Sequence, residues 1–153
     1  MTAAQSVMPL PERPGVSFSW DEFACRDAIG TIYPLDIRAT RGVRLGRELD
    51  RIRARTGPLV LSSVWRTWPH HLAIYAAMRP PQPAPAGSDH LRGDGADVTC
   101  PQTMKWPVFV EHALEAAHED GSAIRYLRFY RRQRFVHVGI RNTDTLQVEY
   151  EAT

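Results

Sequence analysis

Two histidines and an aspartate have the residue types and the context of a metal site. His90 and Asp97 flank a turn that contains Gly93 and Gly95. Glycine has no Cβ, so these two positions let the backbone bend sharply and bring an imidazole and a carboxylate to one point. A third ligand is available at His137, within a predicted strand. Two histidines, one carboxylate and an open fourth position form a set that binds catalytic zinc.

The same residues also have a simpler interpretation that involves no metal. A glycine turn with incidental polar residues would produce segment 88–97 without any metal, and spacing alone does not separate the two interpretations. The remaining histidines add no second pattern. His112 and His118, for example, are six positions apart on a predicted helix, which places them on different faces.

The elements that must position these residues run from helices in the first two thirds of the chain to strands in the last third. Capping, stop and periodicity signals predict four helices: a short one whose start is marked by Ser19 and Glu22, one over about 38–56 that ends at Gly57-Pro58, one over 70–78 and one over 108–118. Strands are predicted at 59–61 and 96–98, and antiparallel strands near 124–127, 135–138 and 146–150. The Pro-rich segment 79–87 is predicted to be irregular. This order predicts an α+β fold with a central antiparallel sheet and helices packed on it. We predict an extended Pro-rich arm over 1–16 and one domain over 17–153.

Composition excludes several classes of function. A net charge of +2, from 19 basic and 17 acidic residues, is too small for a dedicated nucleic-acid binder. No stretch approaches the roughly 20 apolar residues of a membrane span, and the first residues do not have the pattern of a secretory signal. Cys25 and Cys100 can form one disulfide or remain two buried thiols, and the burial habit of free cysteine favours the thiols.

Four blocks, in order along the chain, resemble one family. Phe18–Cys25 is similar to a Phe-…-Glu-Phe-x-Cys opening, and Ser63–Thr67 stands where a Ser-Gly-Tyr-Arg-Thr-like strand exit is found. Ser88–Asp97 matches Ser-x-His-x-x-Gly-x-(small)-x-Asp, and Phe135–Val138 matches an aromatic-Val-His-Val strand. Together they resemble the zinc D-alanyl-D-alanine carboxypeptidase and murein endopeptidase family, which shares the hedgehog/DD-peptidase fold. The opening block is similar to that of its small phage- and bacterium-encoded members.

The resemblance implies a role for each matched residue. His90, Asp97 and His137 would bind zinc, and Arg66 would face the metal to stabilise an oxyanion or bind substrate. Ser88 would hydrogen-bond the substrate. From the residues alone, Arg66 can also be a surface arginine and Ser88 a loop cap.

The general base that hydrolysis normally needs is not at the positions where the family has it. Arg134, Phe135 and Gly139 stand where the family carries an acid, a histidine or an aspartate near the last ligand. A positioned acid or base typically contributes about 10²–10⁴-fold to the rate. The titratable side chains that can substitute for this base are those of Asp89, Asp94, Glu111 and His112.

These observations lead to two hypotheses. The first is a zinc peptidase that cleaves D-amino-acid-containing peptides of peptidoglycan, as carboxypeptidase or endopeptidase, with stem peptides as its partners. The second is a catalytically weak or inactive zinc-binding module that serves a structural or binding role, for example in a phage virion beside other virion proteins. Both hypotheses predict that the protein is synthesised in the cytoplasm. If it is encoded by a phage, they predict that it is delivered to the cell wall or the virion.

Overall fold

Five short strands pair into one sheet, in the order β1–β2–β4–β3–β5, in the computed structural model, which describes residues 9–152. The strands are β1 (Val60–Ser63), β2 (Gly95–Thr99), β3 (Tyr126–Tyr130), β4 (Phe135–Gly139) and β5 (Gln147–Tyr150). The first four pair antiparallel, whereas β5 runs parallel to β3. The described residues form a single compact domain, and the predicted α+β class is confirmed.

The sheet is mixed, which corrects the prediction of a purely antiparallel one. We expected 146–150 to continue antiparallel after the turn at 142–144. Both edges of β4 are already occupied, by β2 and by β3, so β5 adds at the free edge of β3, with Tyr126 opposite Gln147. The chain reverses direction once more after β4, and β5 therefore runs in the direction of β3.

Within residues 9–152 there are five α-helices: α1 (Trp20–Phe23), α2 (Val43–Thr56), α3 (Trp68–Ala76), α4 (Asp89–Arg92) and α5 (Trp106–His118). The predicted 38–56 helix begins with a π-helical turn at Arg38–Gly42, and it ends at Gly57, whose φ of +80° suits only glycine well. Leu49 of α2 and Phe109 of α5 are fully buried in one core with Val136 of β4. No helix within 9–152 is long and apolar enough to span a membrane.

The segment before α1 lies along α2. Residues 1–8 of the predicted arm lie outside the described residues. Of the rest, Pro14 is buried, with its carbonyl against Gly46, and the backbone N–H groups of Val16 and Ser17 donate to the Asp50 carboxylate at 2.8 and 3.1 Å.

Side chains of the central strands alternate between two faces. On β4, Val136 and Val138 enter the core, so His137 points to the opposite face. On β2, Val98 enters the core and Asp97 points to the face of His137. This second face carries the candidate site.

Candidate metal centre

Asp97 and His137 are direct cross-strand neighbours at the centre of the sheet. Residues opposite each other on antiparallel strands bring their side chains close together on one face. Asp97 Oδ1 lies 2.9 Å from His137 Nδ1. The first pair of predicted ligands therefore comes from the register of β2 with β4.

His90 joins this pair from the single-turn helix α4. The Ser88 hydroxyl caps the helix by accepting the His90 N–H at 3.3 Å, and Gly93, at φ +74°, ends it. His90 Nδ1 donates to the Val64 carbonyl at 2.7 Å, which leaves the Nε2 lone pair facing Asp97 Oδ1 at 3.2 Å. The glycine turn thus brings imidazole and carboxylate together as predicted.

The three side chains can hold a metal ion. One donor atom from each of His90, Asp97 and His137 lies within 4.8 Å of the other two, and all three residues are buried. They form the floor of a cleft of about 460 Å³. All three residues line this cleft, so the cleft is a route by which solvent and small molecules can reach them.

Charges in the centre are strongly coupled. Burial on its own would raise the pKa of Asp97, but His90 and His137 hold it far below its usual range. Burial lowers the pKa of His90. For His137 the hydrogen bonds to Asp89 and Asp97 outweigh burial and raise the pKa to about 9. Metal ligands must be deprotonated, so a bound cation would take the place of the His137 proton that faces Asp97.

Arg66 is buried beside the ligands rather than on the surface. Its Nη2 donates to Asp97 Oδ2 at 3.2 Å and its Nε donates to Ser63 Oγ at 2.9 Å. His71 lies 3.4 Å from Nη1, and its own Nε2 donates to the Pro85 carbonyl at 2.9 Å, so His71 Nδ1 accepts from the guanidinium. Arg66 lines the cleft with its orientation fixed by three partners.

Sequence reasoning missed two residues of this centre. His71 lies on α3 beside a second histidine, and no motif marks it as the partner of Arg66. The sequence indicates Asp89 only as a substitute base, whereas its carboxylate accepts from His137 Nε2 at 2.8 Å. The signal for Asp89 was its position inside the Ser88–Asp97 block.

None of the three positions at which the family carries its general base provides one here. The Arg134 guanidinium turns away from the cleft and donates to the Met104 carbonyl at 2.8 Å. Phe135 stacks on Tyr130, with ring centroids 4.4 Å apart. Gly139 has no side chain and lies against Asp89.

The substitute candidates leave the centre without a free base as well. Asp94 pairs with Arg92 and Arg41, and it does not line the cleft. Glu111 and His112 belong to α5 and are not cleft residues either. Among the described residues that line the cleft, the carboxylates and imidazoles are Asp89 and the three candidate ligands.

The cleft has two chemically different walls. Aliphatic and aromatic residues line one wall, namely Ile74, Tyr75, Met78 and Pro85. Strand β3 contributes the other, where the Tyr126 hydroxyl donates to Glu149 at 2.6 Å and Arg128 Nη1 donates to the same carboxylate at 3.3 Å. Burial raises the pKa of Tyr126 to about 12, so this hydroxyl keeps its proton at neutral pH.

Comparison with known proteins leaves the family open. No family model, no curated protein and no solved structure matches the chain. The family hypothesis therefore rests on the four sequence blocks and on the geometry of the centre.

Proposed function

We propose that the chain is a zinc-dependent peptidase of the hedgehog/DD-peptidase type that cleaves D-amino-acid-containing peptides of peptidoglycan. The observation that carries this proposal is the convergence of His90, Asp97 and His137 at the floor of a cleft, with Arg66 beside them. Zinc bonds of about 2.0–2.2 Å in a tetrahedral arrangement separate ligand atoms by roughly 3.3–3.6 Å. The distances of 2.9 and 3.2 Å from Asp97 Oδ1 to the two ring nitrogens are slightly shorter than that spacing, so a small outward movement of the side chains would admit the ion.

In this proposal, zinc and Arg66 have different roles in catalysis. Zinc, when bound, polarises a carbonyl and lowers the pKa of water. Three of the five N–H groups of Arg66 donate hydrogen bonds that fix the orientation of the guanidinium plane. The other two N–H groups remain for a substrate oxygen. A guanidinium fixed in this way stabilises negative charge that develops on the scissile carbonyl oxygen.

Arg128 supports recognition of a substrate carboxylate. It lies directly opposite His137 across the β3–β4 pair and lines the cleft. Its side chain is 42% exposed, and its Nη1 pairs with the Glu149 carboxylate at 3.3 Å. A guanidinium matches the planar geometry of a carboxylate, and this favours the carboxypeptidase form of the proposal over the endopeptidase form.

The test is hydrolysis by the zinc-loaded protein. Incubation with stem pentapeptides should release D-alanine, while sacculi report any endopeptidase cleavage. Arg66→Ala should lower kcat by about 10²–10³-fold. Arg47→Ala, an exposed arginine of α2, is the matched control and should leave kcat unchanged. Absence of any cleavage by protein with zinc bound would contradict the proposal.

A second candidate is a zinc-stabilised binding module without hydrolytic activity, such as a virion component. The observation that favours it is the lack, among the described cleft residues, of a carboxylate or imidazole beyond Asp89 and the three ligands. Zinc removal would then lower the melting temperature while cleavage stays undetectable. Cleavage that is lost in Arg66→Ala would exclude this second candidate.

A further inference from the structure

Asp89 is an almost completely buried carboxylate with three charged or polar partners. It is 1% exposed. Its Oδ2 accepts from His137 Nε2 at 2.8 Å, and its Oδ1 accepts from Arg92 Nη2 at 2.7 Å and from Arg141 Nε at 3.2 Å. The carboxylate therefore has one oxygen for the imidazole and the other for two guanidinium groups.

Two glycines on neighbouring strands make room for this contact. A Cβ at Gly139 would lie 2.6 Å from Asp89 Oδ2, and a Cβ at Gly95 would lie 2.6 Å from Asp89 Cβ and 2.9 Å from His137 Cε1. Separations below about 3.0 Å are not found for real Cβ atoms. The space in which Asp89 meets His137 thus exists because β2 and β4 both carry glycine there.

We propose that Asp89 is a positioning residue that holds His137 in the tautomer able to bind metal through Nδ1. An imidazole that ligates through Nδ1 must carry its proton on Nε2, and that proton needs an acceptor. An ionised carboxylate only accepts, so Asp89 fixes the proton on Nε2 and directs the Nδ1 lone pair toward Asp97. The inference rests on the metal-binding part of the proposed function and not on hydrolysis.

Asp89→Asn separates this role from a merely structural one. The new amide has nearly the same shape, but Arg92 and Arg141 can only donate, so they would attract its carbonyl oxygen. The amide NH₂ would then face His137 Nε2 and donate to it. His137 would have to carry its proton on Nδ1, where the metal needs a lone pair.

The first measurement is zinc affinity, obtained by competition with a chelator. We expect Asp89→Asn to weaken zinc binding by about 10–100-fold. Asp94→Asn is the matched control, because Asp94 also pairs with Arg92 but touches no ligand, and it should bind zinc as the unmodified protein does. Equal zinc affinity of Asp89→Asn and the unmodified protein would overturn the inference.

A second measurement does not depend on the folding of any variant. The unmodified protein, with isotope-labelled histidine and a magnetically active cadmium isotope, should show metal–nitrogen coupling at His137 Nδ1 and a proton on Nε2. Coupling at Nε2 would overturn the inference. A protein that binds cadmium through Nδ1 but hydrolyses nothing would refute the proposed peptidase and leave this inference intact.

Discussion

At the scale of single residues, the hydrogen bond from His90 Nδ1 to the Val64 carbonyl decides which ring nitrogen faces Asp97. His137 presents the opposite nitrogen, because Asp89 accepts from its Nε2. The two imidazoles therefore approach Asp97 Oδ1 through different atoms, His90 through Nε2 and His137 through Nδ1. The other nitrogen of each ring donates a hydrogen bond to a fixed acceptor. Such partners restrict ring rotation before a metal arrives.

Zinc should stabilise the protein only while all three ligands are present. Binding to the folded state adds about 2.7 kcal/mol at a free zinc concentration of 100 times the Kd. We expect zinc to raise the Tm of the unmodified protein and of the control His118→Ala, whose side chain is exposed on α5. His90→Ala should show no zinc-dependent rise in differential scanning calorimetry, and a rise equal to that of the control would contradict the assigned ligand.

At the scale of elements, α2 and α5 form the layer that covers the core side of the sheet. Leu49 is fully buried in this layer. Because truncation leaves a cavity, Leu49→Ala should lower the free energy of unfolding by about 2–5 kcal/mol.

Urea denaturation of the metal-free protein measures this loss. Arg47→Ala, two positions earlier on the exposed side of α2, should change the free energy of unfolding by less than about 0.5 kcal/mol. Similar losses for the two variants would mean that α2 does not cover the core as described.

A second prediction for α2 follows from the close approach of Pro14 to Gly46. Alanine favours a helix over glycine by about 1 kcal/mol. A Cβ at Gly46 would nevertheless collide with the Pro14 carbonyl, so Gly46→Ala should displace the segment before α1. Limited proteolysis should then cut within 9–17 faster than in the control Arg44→Ala. Unchanged cleavage together with raised stability would contradict this packing.

Local signals predicted most elements, because their causes lie within a few residues. Glu22 reaches back to the Ser19 N–H at 3.0 Å, and Gly57 ends α2. The placement of β5 beside β3 was not predictable, since it depends on which sheet edge is free after β2 and β4 have paired. Within the centre, the glycine turn indicated His90 and Asp97, whereas the contacts of His71 and Asp89 arise only from tertiary packing.

At the scale of the whole molecule, the centre joins parts of the chain that are far apart in sequence. Asp97 and His137 are separated by 40 positions, and Arg66 adds a third region through its contact with Asp97. A bound cation would connect α4, β2 and β4. Disturbance of any one of these elements should therefore weaken metal binding.

Both thiols should react slowly in the native protein. The structure confirms the prediction of two free, buried cysteines, with Cys25 1% and Cys100 2% exposed. Burial also raises the pKa of the Cys100 thiol, which lowers the fraction of reactive thiolate. A thiol reagent should modify both residues rapidly in denaturant and slowly in buffer. Rapid labelling in buffer would show that the core opens easily.

The space at the contact between Asp89 and Gly139 also has a consequence for evolution. A side chain at 139 would enter the volume that the Asp89 carboxylate occupies, so only one of these two positions can carry an acid. Related chains should therefore covary at 89 and 139, with a small residue at one wherever a carboxylate stands at the other. Selection would then preserve the acceptor behind His137 while the strand or helix that supplies it changes.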